Sequence, residues 1–82
     1  MKVELQNILG MTLAQFIEQS IHNTELSVYN HNYYIFNGVE YIFCYDEFDM
    51  MAYIKTNGVC IAYADGCDFN NAVIYDYEDY RP

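Results

Sequence analysis

Tyr33-Tyr34-Ile35-Phe36-Asn37-Gly38-Val39-Glu40-Tyr41-Ile42-Phe43 is the stretch that decides the fold. Two runs of aromatic and β-branched residues flank an Asn-Gly step. A two-residue type I′ turn needs positive φ at both central positions, which Asn and Gly tolerate best, so the stretch predicts a β-hairpin. Its register pairs Phe36 with Val39 and Tyr34 with Tyr41. Strand alternation then lines Tyr34, Phe36, Val39, Tyr41 and Phe43 along a core face, and Ile35, Glu40, Ile42 and Cys44 along the other.

The same device recurs at Asn57-Gly58, between Met51-Ala52-Tyr53-Ile54-Lys55-Thr56 and Val59-Cys60-Ile61-Ala62-Tyr63. A plain two-residue turn pairs Thr56 with Val59 and Ile54 with Ile61, which puts Ala52, Ile54, Val59, Ile61 and Tyr63 on one face. Asp65-Gly66 ends that strand, and Ala72-Val73-Ile74-Tyr75-Asp76-Tyr77 reads as a last strand running into an acidic end. Upstream, Met11-Thr12-Leu13-Ala14-Gln15-Phe16 carries a capping box, Thr12 with Gln15, and a hydrophobic staple, Met11 with Phe16. The spacing of Leu13, Phe16, Ile17 and Ile21 predicts an amphipathic helix from about Leu13 to Ile21, with an extra helical turn before Gly10.

The expected fold is therefore α+β. One N-terminal amphipathic helix packs on a mostly antiparallel sheet of about five or six short strands with two Asn-Gly hairpins. Its 82 residues make one small domain, 1–82. The two hairpins differ too much in their flanks to be an internal repeat, and no Pro-rich or Ser-rich linker interrupts the chain.

Every apolar run falls well short of the roughly 20 residues that span a bilayer, and the N-terminus turns polar before a signal-peptide core can form. The expectation is a protein of the cytoplasm, in a bacterial host cell. Cys44, Cys60 and Cys67 are odd in number and lack a C-x-x-C spacing, so they read as free thiols, with neither disulfide framework nor zinc site.

Four features of the sequence could carry chemistry. A nucleophilic Cys needs a nearby His, but Cys44 and Cys60 fall inside strands, and Cys67 sits among carboxylates that raise a thiol's pKa. His22 and His31 flank the helix exit and the first strand and read as satisfied or solvated loop histidines. Asp65, Asp68 and Asn70 do not match a Ca²⁺ loop, although an irregular cation site there stays open, and the four glycines are scattered singly, so no phosphate loop exists. No catalytic residue, metal or cofactor is assigned, and the protein is read as a non-enzyme.

The charge is the strongest remaining signal. Three Lys and Arg stand against 12 Asp and Glu, a formal net charge of -9. Direct contact with nucleic acid or an anionic membrane is thereby opposed. Nine of the 12 acids lie from Glu40 onward, opposed there only by Lys55 and Arg81. Three clusters stand out, each interleaved with aromatic residues: Asp46, Glu47 and Asp49; Asp65 and Asp68; and Asp76, Glu78 and Asp79. The bland reading makes these solvated turns that keep a protein with 10 tyrosines soluble. The sharper one makes them an imitation of a phosphate track, with Tyr45, Tyr75, Tyr77 and Tyr80 beside them to stack on a partner's arginines.

A chain this small, acidic and tyrosine-rich resembles the inhibitors that phages and mobile elements deploy against CRISPR and restriction nucleases, many of them mimics of DNA in charge. That resemblance lies in size and composition, without a diagnostic motif. It implies stoichiometric binding to a nucleic-acid-handling complex and no catalysis. The expected partner is a basic nucleic-acid-binding protein, met by Asp46, Glu47, Asp49, Asp65, Asp68, Asp76, Glu78 and Asp79 with the four tyrosines, in a monomer or homodimer. The alternative is a structural module that forms a homo-oligomer through a strand edge or a tyrosine-rich apolar face.

Overall fold

The computed structural model describes residues 2–28 and 30–80. Arg81, one of the two opposing cations named above, lies outside them. In chain order the elements are helices α1 (Val3–Gln6) and α2 (Leu13–Gln19), then strands β1 (Ile21–Val28), β2 (His31–Phe36), β3 (Val39–Asp46), β4 (Met51–Thr56), β5 (Val59–Asp65) and β6 (Tyr75–Asp76). Single 3₁₀ turns occupy Gly66–Asp68 and Tyr77–Asp79. The strands form one antiparallel sheet in the order β1-β2-β3-β4-β5-β6. This is the expected α+β fold.

The local signals behave as their chemistry dictates. Thr12 Oγ1 accepts the Gln15 N–H at 3.1 Å while Gln15 Oε1 accepts the Thr12 N–H at 2.9 Å, closing the capping box. Asn37 and Gly38 take φ of 51° and 74°, Asn57 and Gly58 take 52° and 77°, and both turns are the left-handed pair that a tight hairpin needs. The β2–β3 register is the predicted one, Phe36 with Val39 and Tyr34 with Tyr41.

Both α-helices lie on one face of the sheet. Phe16 is fully buried at its centre and meets Tyr34, Phe36 and Tyr41 edge-on, with ring centroids 5.5–6.2 Å apart. Tyr41 is also fully buried, and its hydroxyl has partners in α1: it donates to the Glu4 carbonyl at 2.6 Å and accepts from Asn7 Nδ2 at 3.5 Å. Ile8, Leu13, Ile54 and Ile74 complete the fully buried set of large side chains. The segment before β6 is sewn to the helices by backbone bonds, Gly10 N to Ile74 O, Ile74 N to Met11 O and Leu13 N to Ala72 O.

Three local expectations are corrected. The helix stops at Gln19, because Ser20 returns its hydroxyl to the Phe16 carbonyl and takes an extended backbone that opens β1; Ile21 is 70% exposed. The last strand is only Tyr75–Asp76, because the Asp76 carboxylate accepts the Glu78 N–H at 3.0 Å and turns the chain into a 3₁₀ turn. The β4–β5 pairing departs further. Lys55 pairs with Cys60 but Ile54 pairs with Ala62, so β5 carries one extra residue there, Ile61. A one-residue bulge reverses which side chains face in. Ala62 and Ala64 pack into the core, and Tyr63 points to the opposite face.

Candidate functional site: the open face of the sheet

Without a helix to cover it, the second face displays what strand parity sends there. The register reads His31, Cys44, Tyr53, Tyr63 and Tyr75 as one row across β2 to β6. The next row towards the β3–β4 turn is Asp46, Met51 and Asp65. The row on the other side is Tyr33, Ile42, Lys55 and Cys60.

The chain after β6 folds back over the first of these rows. Tyr53, Tyr63, Tyr75, Tyr77 and Tyr80 form a connected ring cluster: Tyr53 meets Tyr77 and Tyr80 edge-on, Tyr63 meets Tyr80 at 5.1 Å and Tyr75 at 5.8 Å, and Tyr77 stacks on Tyr80 at 5.7 Å. Tyr53 and Tyr80 also share a long hydroxyl hydrogen bond of 3.4 Å. Tyr75 and Tyr77 remain 52% and 38% exposed. The Tyr53 phenol is held well above its ordinary pKa, first by the hydrogen bond to Tyr80 and by burial, then by repulsion from Tyr80, Asp49 and Asp46.

Of the predicted tyrosines, Tyr75, Tyr77 and Tyr80 come together, and Tyr45 does not join them. Tyr45 follows core parity opposite Ala52, and its ring lies against the Gly66 backbone so closely that a Cβ there would meet Cε2 at 2.3 Å. Tyr53 and Tyr63 belong to the cluster although the sequence reading did not select them. For Tyr63 the missed signal is Ala62-Tyr63-Ala64, in which two small residues suit the crowded side.

The acids divide. Asp46 and Asp65 stand on either side of Met51 in one row, about 10 Å apart at the usual strand spacing. Glu47 and Asp49 lie in the exposed turn beside them, with Phe48 95% exposed at its tip. A shallow depression of about 290 Å³ has Asp46, Glu47 and Tyr53 in its walls. Asp68 is carried to the helical side by a segment whose Phe69 packs edge-on against Phe43. Asp76 follows core parity opposite Ala62, and with Glu78 and Glu4 it lines a groove of about 750 Å³ beside α1. Asp79 is exposed in the last turn, between Tyr77 and Tyr80.

Four of these carboxylates also hold turns. Asp46 accepts the N–H groups of Phe48 and Asp49, Asp65 that of Cys67, and Asp76 that of Glu78, while Asp68 accepts both of its bonds from Asn71 Nδ2. This is the reason acids recur at the strand ends. It also occupies Asp65 and Asp68, and among the described residues no group of three His, Cys, Asp or Glu could hold a metal ion.

The thiols lean away from reactivity. The β2–β3 register sets His31 opposite Cys44, yet burial raises the pKa of Cys44, as it does that of Cys60. Asp65 raises that of Cys67, by hydrogen bonding and by repulsion. His22 stacks on Tyr34 at 4.8 Å and hydrogen-bonds Ser27 Oγ. Among the described residues no helix is long and apolar enough to cross a membrane. Comparison of the chain with family models, curated proteins and solved structures finds no match to any of them.

Proposed function

We propose that this protein is a non-enzymatic inhibitor that occupies a basic nucleic-acid-binding groove, such as that of a CRISPR or restriction effector, in the cytoplasm of a bacterial cell. The observation that carries the reading is the joining of five tyrosines on an uncovered sheet face with Asp46 and Asp65 one row away. Aromatic surface beside rows of negative charge is what a nucleic acid offers a cationic protein. The proposed surface is narrower than the three clusters: Asp46, Glu47, Asp49, Asp65 and Asp79 with Tyr53, Tyr63, Tyr75, Tyr77 and Tyr80 belong to it, and Tyr45, Asp68, Asp76 and Glu78 do not.

Oligomerisation through a strand edge is the weaker reading, because both edges are blunted. In β1 the register jumps between Asn23 and Val28, and Asn23 Oδ1 accepts the N–H groups of Glu25 and Leu26. At the other edge β6 is two residues long before Asp76 bends it away.

The test is retention of proteins from a bacterial lysate on the immobilised chain, followed by challenge with duplex DNA and with salt. The retained partner is expected to be a nucleic-acid-binding complex that duplex DNA displaces. Glu47→Lys, Asp49→Lys and Asp79→Lys, which avoid the turn-holding carboxylates, should together weaken binding by several kcal/mol and flatten its salt dependence. A partner that saturating duplex DNA leaves in place, or whose affinity ignores ionic strength, overturns the proposal.

A further inference from the structure

We infer that the open face recognises guanidinium groups, so that an arginine-bearing segment is preferred across it over a lysine-bearing one of equal charge. The inference rests on the reading above that the partner is a cationic protein, and adds the chemistry by which it is gripped.

In the edge-to-face contacts of Tyr53 with Tyr77 and Tyr80, at 75° and 85°, the electropositive rim of one ring meets the electronegative face of another. Those contacts hold Tyr53, Tyr77 and Tyr80 together, and Tyr75 joins the cluster through Tyr63, at 5.8 Å and 39°. The outer members, Tyr75 and Tyr77, keep about half and over a third of their surface in solvent. A fixed, half-exposed phenol ring is a platform for a flat cation.

Arginine suits such a platform better than lysine for two physical reasons. Its guanidinium is planar and weakly hydrated, so stacking on a ring costs little water, whereas an ammonium is a compact and strongly hydrated point charge. Its five N–H donors lie in a rigid fork, so a stacked guanidinium still offers hydrogen bonds at its edge. Acceptors are at hand. Asp65 lies two residues along β5 from Tyr63, about 7 Å, and Asp46 the same distance along β3 from Cys44, the neighbour of Tyr53; the backbone N–H groups of their turns donate to Oδ1 of each. Charge complementarity selects a cation, and the rings select its shape.

The experiment titrates octa-arginine and octa-lysine into the full chain at two ionic strengths. The chain contains no Trp, so intrinsic fluorescence comes from its 10 tyrosines, five of them in the cluster, and the change lost in the Tyr75→Ala, Tyr77→Ala variant is the part the cluster contributes. The arginine peptide is expected to bind about tenfold more tightly, the upper range of a partly desolvated cation–π contact. Tyr75→Ala with Tyr77→Ala should erase that preference, and Tyr75→Phe with Tyr77→Phe, which keep the ring faces, should preserve it. Should the alanine pair fail to fold by thermal melt, wild-type NMR decides: tyrosine ring resonances must shift with the arginine peptide and far less with the lysine peptide.

Equal affinity for the two peptides, or equal shifts, overturns the guanidinium inference. If that equal binding still falls with salt and with Glu47→Lys and Asp49→Lys, the electrostatic reading of the face survives alone. If neither peptide responds to salt or to those reversals, both fall together.

Discussion

The two faces of this sheet are built from similar residues and do different things. On the helical face, Phe16, Tyr34, Phe36 and Tyr41 meet edge-on under α1 and α2, and the hydroxyl of Tyr41 is taken up by the Glu4 carbonyl. On the other, Tyr53 and Tyr63 meet Tyr75, Tyr77 and Tyr80 in edge-on, tilted and stacked pairs, with Tyr75 and Tyr77 exposed to solvent. Aromatic packing alone therefore does not mark a core. What separates the faces is whether a helix covers the rings.

The contrast is broken most severely at Phe16. Phe16→Ala removes the ring that all three core aromatics share, and should cost about 3–5 kcal/mol, close to the whole stability of so small a domain. Urea titration followed by circular dichroism is expected to find the variant largely unfolded in buffer. Tyr41→Phe keeps the ring and removes the tie to α1, leaving the Glu4 backbone carbonyl without its donor; a loss of about 1–2 kcal/mol should appear as a lower melting temperature. Thr12→Ala opens the capping box at a cost of about 1 kcal/mol by the same measurement.

Alkaline pH sharpens the comparison without mutation. Burial raises the phenol pKa of Tyr41 and Tyr34, and Tyr53 is raised through Tyr80 and the nearby acids. A phenol whose folded pKa exceeds its unfolded value stabilises the fold fully below about pH 10, and that contribution is lost as pH rises from there through the folded value. The melting temperature should therefore fall above about pH 10, less steeply in Tyr41→Phe. The smallest effect belongs to the open face, where Tyr75→Ala should change stability by less than about 1 kcal/mol. A larger loss there would mean that the uncovered cluster is structural after all.

Much of this architecture can be read from local chemistry. The Asn-Gly turns, the capping box and the core stripe Tyr34, Phe36, Val39, Tyr41 and Phe43 each follow from one residue's backbone preference or from strict alternation. Reading failed wherever a side chain redirected the backbone: Ser20 ending α2, Asp76 ending β6, and the extra residue Ile61 turning Tyr63 outward. The candidate surface was accordingly only half visible. Tyr75, Tyr77 and Tyr80 are adjacent in sequence to the acids that drew attention to them, whereas Tyr53 and Tyr63 join them through strand register, which depends on that bulge. Asp68, Asp76 and Tyr45 were grouped with the rest by proximity along the chain, and strand parity and the turn after β5 carry them to the other side.

The looped-out stretch of β1 between Asn23 and Val28 has a consequence beyond the single molecule. An uncovered aromatic sheet would ordinarily be hazardous to accumulate, since a straight margin with idle amide groups can template the growth of fibres. Here the Asn23 side chain takes up the amides of Glu25 and Leu26, so that margin offers fewer of them to a second copy.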